Sequence, residues 1–341
     1  VGKARLRRGG HEAILSAGSG SSVASMSDLE PRQRPDDVLG PLRAYLTATV
    51  DEVDAGVRAP RVMLLAFEGW NDAGHAASGA LETLREQWEA PRTETLCTGE
   101  YYDFQVTRPV VHRDADGLGT IDWPCVNVHE AHLDARGRPV GPDAADPAGL
   151  HVHLCTGVEP NVGWRSFTDE LLGAARSWGV DAIVTVGSLL ADVPHTRPLP
   201  AQLSSPQVDL RVAVDAEQPT YEGPTGIIGV VAETAARAGF PTLALWTAVP
   251  HYVAQSPSPK ALLALVQAHQ DLLNVQVNTR ELEAEVDSWQ RGVDEAAESD
   301  ADIAAYVRQL EEAFDAQEMP EASGDAIARE FERYLRGRRS T

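Results

Sequence analysis

Several short polar stretches of this chain carry residue types that acid–base or anion chemistry needs. Glu68-Gly-Trp-Asn-Asp-Ala-Gly74 holds the carboxylates Glu68 and Asp72 beside Trp70 and Asn71. At a strand-to-helix junction such a stretch offers backbone N–H groups and a positive helix end to an anion. Equally, Asn71 or Asp72 can cap the helix while Trp70 covers the core. Glu100-Tyr-Tyr-Asp103 sets carboxylates beside two phenols, with Arg108 downstream as an ion-pair partner. Asp192-Val-Pro-His-Thr-Arg197 brings an acid, an imidazole and a guanidinium together. His195 oriented by Asp192 would suit a general base, and Arg197 would suit a phosphate. The same three could instead cross-link a rigid loop. Glu159, then Glu222 and Thr225, open two further helices, and His251 and Tyr252 follow an apolar run. The catalytic candidates are Glu68, Asp72, Glu159, Asp192, His195 and His251. The ligand-binding candidates are Trp70, Asn71, Glu100, Arg197, Glu222, Thr225 and Tyr252.

The absent patterns matter as much. The chain has no Gly-Lys-Ser/Thr P-loop, no GxGxxG, no GxSxG elbow, no HExxH and no CxxC pair. No cofactor is therefore expected. His151 and His153 alternate onto one face of a strand, as metal ligands would. No third ligand is evident beside them, and no metal is expected.

The elements that must position these residues follow a rhythm. Val62–Phe67, Asp181–Gly187 and Thr242–Trp246 are continuously apolar, as strands covered on both faces are. Each runs into a polar loop and then an amphipathic helix. The first carries Ala73, Ala76, Ala77, Ala80, Leu81, Leu84 and Trp88 at helical spacing. The second polar loop is read as Ser188–Pro198. The third helix starts at Ser258-Pro259, a cap with proline at the first helical position. A further helix places Trp164, Phe167, Leu171, Ala175 and Trp178 on one face, and another runs from Gly226 to Gly239. Additional strands are read at Thr93–Thr98, Val106–His112, Val126–Leu133 and His151–Thr156, with 134–149 as an exposed hairpin loop. The pattern predicts a three-layer α/β/α sheet, in which ligands bind beyond the carboxyl ends of the strands.

The domain occupies residues 37–277. Residues 1–36 read as a disordered extension, with Met26 as the biological start. From 278 to 319, Leu282, Val286, Trp289, Val293 and Ala296, then Ile303, Val307, Leu310 and Phe314, mark an acidic helical hairpin. Between Glu281 and Glu318 there are 13 acidic and two basic residues, which reads as a solvated face or a docking arm. Residues 320–341 read as a short helix and basic tail. The formal charge of −22 disfavours nucleic acid and anionic lipid as partners. No apolar run is long enough to span a membrane. Three cysteines without pairing pattern, Cys97, Cys125 and Cys155, suit a reducing compartment, so a cytoplasmic location is expected.

The stretches Phe67–Gly74, Gly99–Pro109, Gly157–Pro160, Leu190–Pro198, Tyr221–Gly226 and Val249–Val253 resemble, in order, the actinobacterial branch of the proteasome assembly chaperone 2 family. The resemblance implies a phosphorylase/hydrolase-like α/β/α fold, homo-oligomers (a trimer among the forms) and proteasome subunits as partners. It makes an oligomeric binding or assembly protein the leading expectation. The alternative is a hydrolase- or phosphorylase-like enzyme, or small-ligand binder, with a carboxylate/His/Arg site at the strand ends.

Overall fold

The computed structural model describes residues 39–144, 146–253 and 257–318. The sequence readings of 1–36 and 320–341 lie outside them. The chain opens with α1 (Pro41–Thr49) and the single turn α2 (Asp51–Asp54), then enters β1 (Arg61–Glu68). A short 3₁₀ turn and α3 (Ala76–Gln87) lead to β2 (Arg92–Leu96). Next come β3 (Val110–Arg113), β4 (Gly119–Asp122), β5 (Val126–Leu133), β6 (Pro139–Val140) and β7 (Leu150–Val158). The order continues with α4 (Trp164–Ser177), β8 (Ala182–Ala191), β9 (Gln202–Ser204), α5 (Val208–Val214) and α6 (Ile227–Arg237). β10 (Thr242–Pro250), α7 (Pro259–Leu273), α8 (Arg280–Glu298) and α9 (Ala301–Glu318) complete it.

The main sheet runs β2-β5-β7-β1-β8-β10-β9, with β6 on the end of β5. β7, β1, β8 and β10 are parallel, whereas β5 and β9 run antiparallel to the strands beside them. Period-two alternation in β1 builds both cores. Val62, Leu64 and Ala66 join the core under α1, α3, α5 and α7; Met63, Leu65 and Phe67 join the one under α4 and α6. Helices thus cover both faces, and the expected three-layer α/β/α architecture is present.

Two local readings need correction. β8 does not end at Gly187: Thr247–Pro250 of β10 continues alongside Ser188–Ala191, so the ladder carries the strand onward despite its exposed Leu189 and Leu190. The strand expected at Val106–His112 is shifted, because Asp103 C=O accepts the N–H groups of Val106 and Thr107 and holds a turn there. The shifted strand, β3, pairs only with β4, off the main sheet. The 134–149 segment forms the expected hairpin loop, with β6 returning along β5, and the buried Arg43 of α1 donates to its Ala135, Ala148 and Gly149 carbonyls. The short elements α1, α5 and β9 were not among those read from the sequence.

Candidate functional site

β1 lies between β7 and β8, and its carboxyl end meets the start of α6, where ligands enter open α/β sheets. Here the protein supplies its own anions. Asp72 Oδ1 accepts the N–H groups of Ala77 and Ser78 at 2.8 and 3.1 Å, and Oδ2 accepts the Ser78 hydroxyl at 2.5 Å. Asp72 is therefore the cap of α3. Glu159, just past β7, reaches across to α6: its Oε1 accepts the Ile227 N–H at 2.9 Å and its Oε2 the Trp70 N–H at 3.4 Å. A carboxylate at the first turn of α6 complements the positive end of that helix. Both helix N-termini that a phosphate would use are filled by side chains.

Asn71 is buried, and its Oδ1 has no hydrogen-bond partner among the described residues. It faces Gly226, where an added Cβ would sit 1.8 Å from Asn71 Oδ1 and 2.9 Å from Glu159 Oε1. Gly226 has φ −89° and ψ −176°, a backbone any residue adopts, so the requirement for glycine is steric. Gly226→Ala is expected to destabilise the fold by about 1–3 kcal/mol through displaced packing, measured by denaturant unfolding.

Glu68, Glu100, Glu222 and Thr225 are exposed. Trp70 and Tyr221, 62% and 73% exposed, overhang an open cleft of about 1360 Å³ that Leu189, Leu190, Thr225 and Trp246 also line. Of the two phenols near Glu100, Tyr101 donates to Glu170 Oε2 and Tyr102 to the Val158 carbonyl, both from the core.

The remaining candidates form a second group, and the helical hairpin closes over it. His195 is 1% exposed. Its backbone N–H donates to the Tyr252 hydroxyl at 2.7 Å, and that hydroxyl lies 2.7 Å from its Nδ1. Burial pushes the Tyr252 phenol up to about 12, and in the neutral ring whose Nε2 faces Asp294 its hydroxyl is the donor to Nδ1. Nε2 then carries the hydrogen given to Asp294 Oδ1 of α8 at 2.9 Å. The Lys260 ammonium donates to the His195 carbonyl at 2.6 Å, and the Trp289 ring stands edge-on to the imidazole. Thr196 donates to Glu311, and Arg197 grips Asp315 through two bonds of 2.7 and 2.8 Å. Hydrogen bonding to Asp315 raises the Arg197 pKa further above its ordinary value. Asp192 Oδ1 lies 3.1 Å from His251 Nδ1 and accepts the Tyr306 hydroxyl at 3.3 Å. Asp192 thus meets His251 and α9, while His195 is oriented by Asp294.

The structure therefore separates the candidates into a capped strand-end crevice and a loop clasped by α8 and α9. The hairpin partners Trp289, Asp294, Tyr306, Glu311 and Asp315 were not among the candidates. The excess of acid on these helices was the available signal, since some of it faces Arg197 and His195 rather than solvent. His151 and His153 lie elsewhere, at the opposite end of the sheet.

A doubly covered mixed sheet with self-capped helix starts and a clasped C-terminal hairpin defines an α/β/α protein. The sequence profile of the PAC2 family matches residues 66–297, and the chain belongs to that family. A PAC2 family protein of Streptomyces avermitilis is 42% identical over 72% of this chain and 99% of its own, with a TM-score of 0.64. A proteasome-assembly chaperone homologue of Mycobacterium tuberculosis is 39% identical over 72% of this chain and 99% of its own, with a TM-score of 0.61. An archaeal proteasome activator of Pyrococcus furiosus shares the fold at 12% identity, covering 70% of this chain and 93% of its own, with a TM-score of 0.52. Comparison with curated proteins gives no match. Among the described residues no helix is long and apolar enough to cross a membrane.

Proposed function

We propose that this protein is an assembly chaperone that forms a homo-oligomer in the cytoplasm and binds proteasome subunits through protein surfaces. The observation that carries this reading is the β3–β4 arm and its flanks. Phe104, Val106, Val110, Val111, Leu118, Ile121 and Trp123 are each between 39% and 70% exposed. Val110 and Val111 are neighbours in one strand and point to opposite faces, so neither face of the arm is covered by the other described residues. Contiguous apolar surface of this kind marks interaction sites. The family and the Mycobacterium relative give the partner its class. The enzyme alternative is weakened by the same geometry: His195 is sealed, Arg197 is paired with acids, and Glu159 and Asp72 cap helices.

The test is a Val111→Lys, Ile121→Glu double variant, whose opposite charges face each other across the β3–β4 ladder and keep the arm paired. Native mass spectrometry is expected to show loss of the oligomer, and capture of purified actinobacterial proteasome subunits to fall at least about tenfold. Stability is expected to change by no more than about 0.5 kcal/mol per substitution, as at other exposed sites. An unchanged mass together with unchanged capture would reject the arm as the interface.

A further inference from the structure

Glu130, His132, His151 and His153 share one face of the β5–β7 pair, at the end of the sheet away from the strand-end loops. The antiparallel register sets His132 opposite His151 and Glu130 opposite His153. Two-residue spacing within each strand then turns all four side chains to the same side. The ligand atoms of Glu130, His132 and His151 all lie within 4.8 Å of one another. The geometry points to a divalent transition-metal site of the zinc type, ligated by Glu130, His132 and His151.

The second observation is an absence of hydrogen bonds where burial demands them. His153 is 2% exposed. Both its ring nitrogens, and Nε2 of His151, are buried without a hydrogen-bond partner among the described residues. Glu130 is the nearest acid, at 3.5 Å from His153 Nδ1 and 3.6 Å from His151 Nε2, too far for good hydrogen bonds. Buried polar atoms left unsatisfied are costly and rare. The rings of His132 and His151 face each other with centroids 4.2 Å apart, and those of His151 and His153 are 4.5 Å apart. Trp178 stacks on the far side of His153 at 4.8 Å and closes the apolar wall.

Nitrogen and carboxylate donors of this mix suit zinc, whose ligand atoms lie about 3.4 Å apart in a tetrahedral site. The set would close from within 4.8 Å to that spacing by turning the stacked His132 and His151 rings so that their in-plane lone pairs converge. The backbone is already fixed, because both strands lie within the sheet. A metal here would bolt β5 to β7, far from the loops and the hairpin, and satisfy the orphaned Nε2 of His151.

The experiment is zinc titration of the full chain by calorimetry, alongside the visible absorption of the cobalt-loaded protein, for the native chain, His132→Ala and Glu130→Gln. His132 is half-buried and Gln keeps the shape of Glu, so both variants are expected to fold. The expected result is one zinc per native chain, with affinity reduced roughly 100-fold or more in His132→Ala and by roughly 10-fold in Glu130→Gln. The cobalt absorption bands are expected to weaken in parallel. Zinc binding that is absent from the native chain, or unchanged in both variants, overturns the site.

Discussion

Replacing His195 by alanine is expected to release the helical hairpin from the domain. The imidazole is buried and bonded on both sides, to Tyr252 within the α/β/α layers and to Asp294 on α8. Truncation leaves a buried phenol without its acceptor, removes the bond to Asp294 and opens a space beside Trp289. Cavity and unpaired-group costs together amount to about 3 kcal/mol. Hydrogen exchange should quicken across both α8 and α9. Two controls separate this from general damage. Asp294→Asn keeps an oxygen acceptor for Nε2–H and is expected to cost under about 1 kcal/mol. Arg197→Ala removes the contacts to Glu311 and Asp315, both on α9, so exchange should quicken in α9 while α8 stays protected. Slow exchange in α8 and α9 of the His195→Ala protein would show that the hairpin is held by its apolar seam alone.

This prediction concerns a bond that the sequence hides. His195 and Asp294 are 99 residues apart, and neither carries a mark that it will meet the other. The loop was legible as a place where acid, imidazole and guanidinium gather, and the hairpin was legible from its 4-3 apolar spacing. Their mutual docking depends on where α7 delivers the chain. Strand β5 matches its expected bounds, Val126–Leu133, because its apolar alternation is local. β8 runs past its apolar core, since its last residues are strand by virtue of β10 beside them. Likewise a His-x-His pair can be read from one strand, but the facing Glu130 and His132 emerge only from the β5–β7 register. Composition and local period specify elements; chemistry between elements requires the pairing.

Lowering the pH should destabilise the fold through His269, a residue of α7 that takes no part in any site. His269 is fully buried; its Nδ1–H donates to the Leu265 carbonyl at 2.7 Å, and its Nε2 has no hydrogen-bond partner among the described residues. Burial holds this imidazole down at about 4, the Leu265 carbonyl offsetting only part of the effect. The sign follows from proton counting. Between the ordinary histidine pKa, about 6.5, and about 4, the unfolded chain binds a proton that the folded chain refuses. The contribution of His269 is therefore fully present above about pH 6.5. It declines as pH falls, by roughly 2 kcal/mol at pH 5 and roughly 3 kcal/mol at pH 4. His269→Leu removes the titration and fills the site with an apolar side chain of comparable size. The bond it gives up is to a carbonyl one helical turn back, which the main-chain ladder already serves. Denaturant unfolding at pH 7 should then differ little between the two proteins, whereas at pH 5 the leucine variant should lose roughly 2 kcal/mol less. Parallel stability–pH curves for the two proteins would mean that His269 takes up its proton in the folded state, with α7 opening around it.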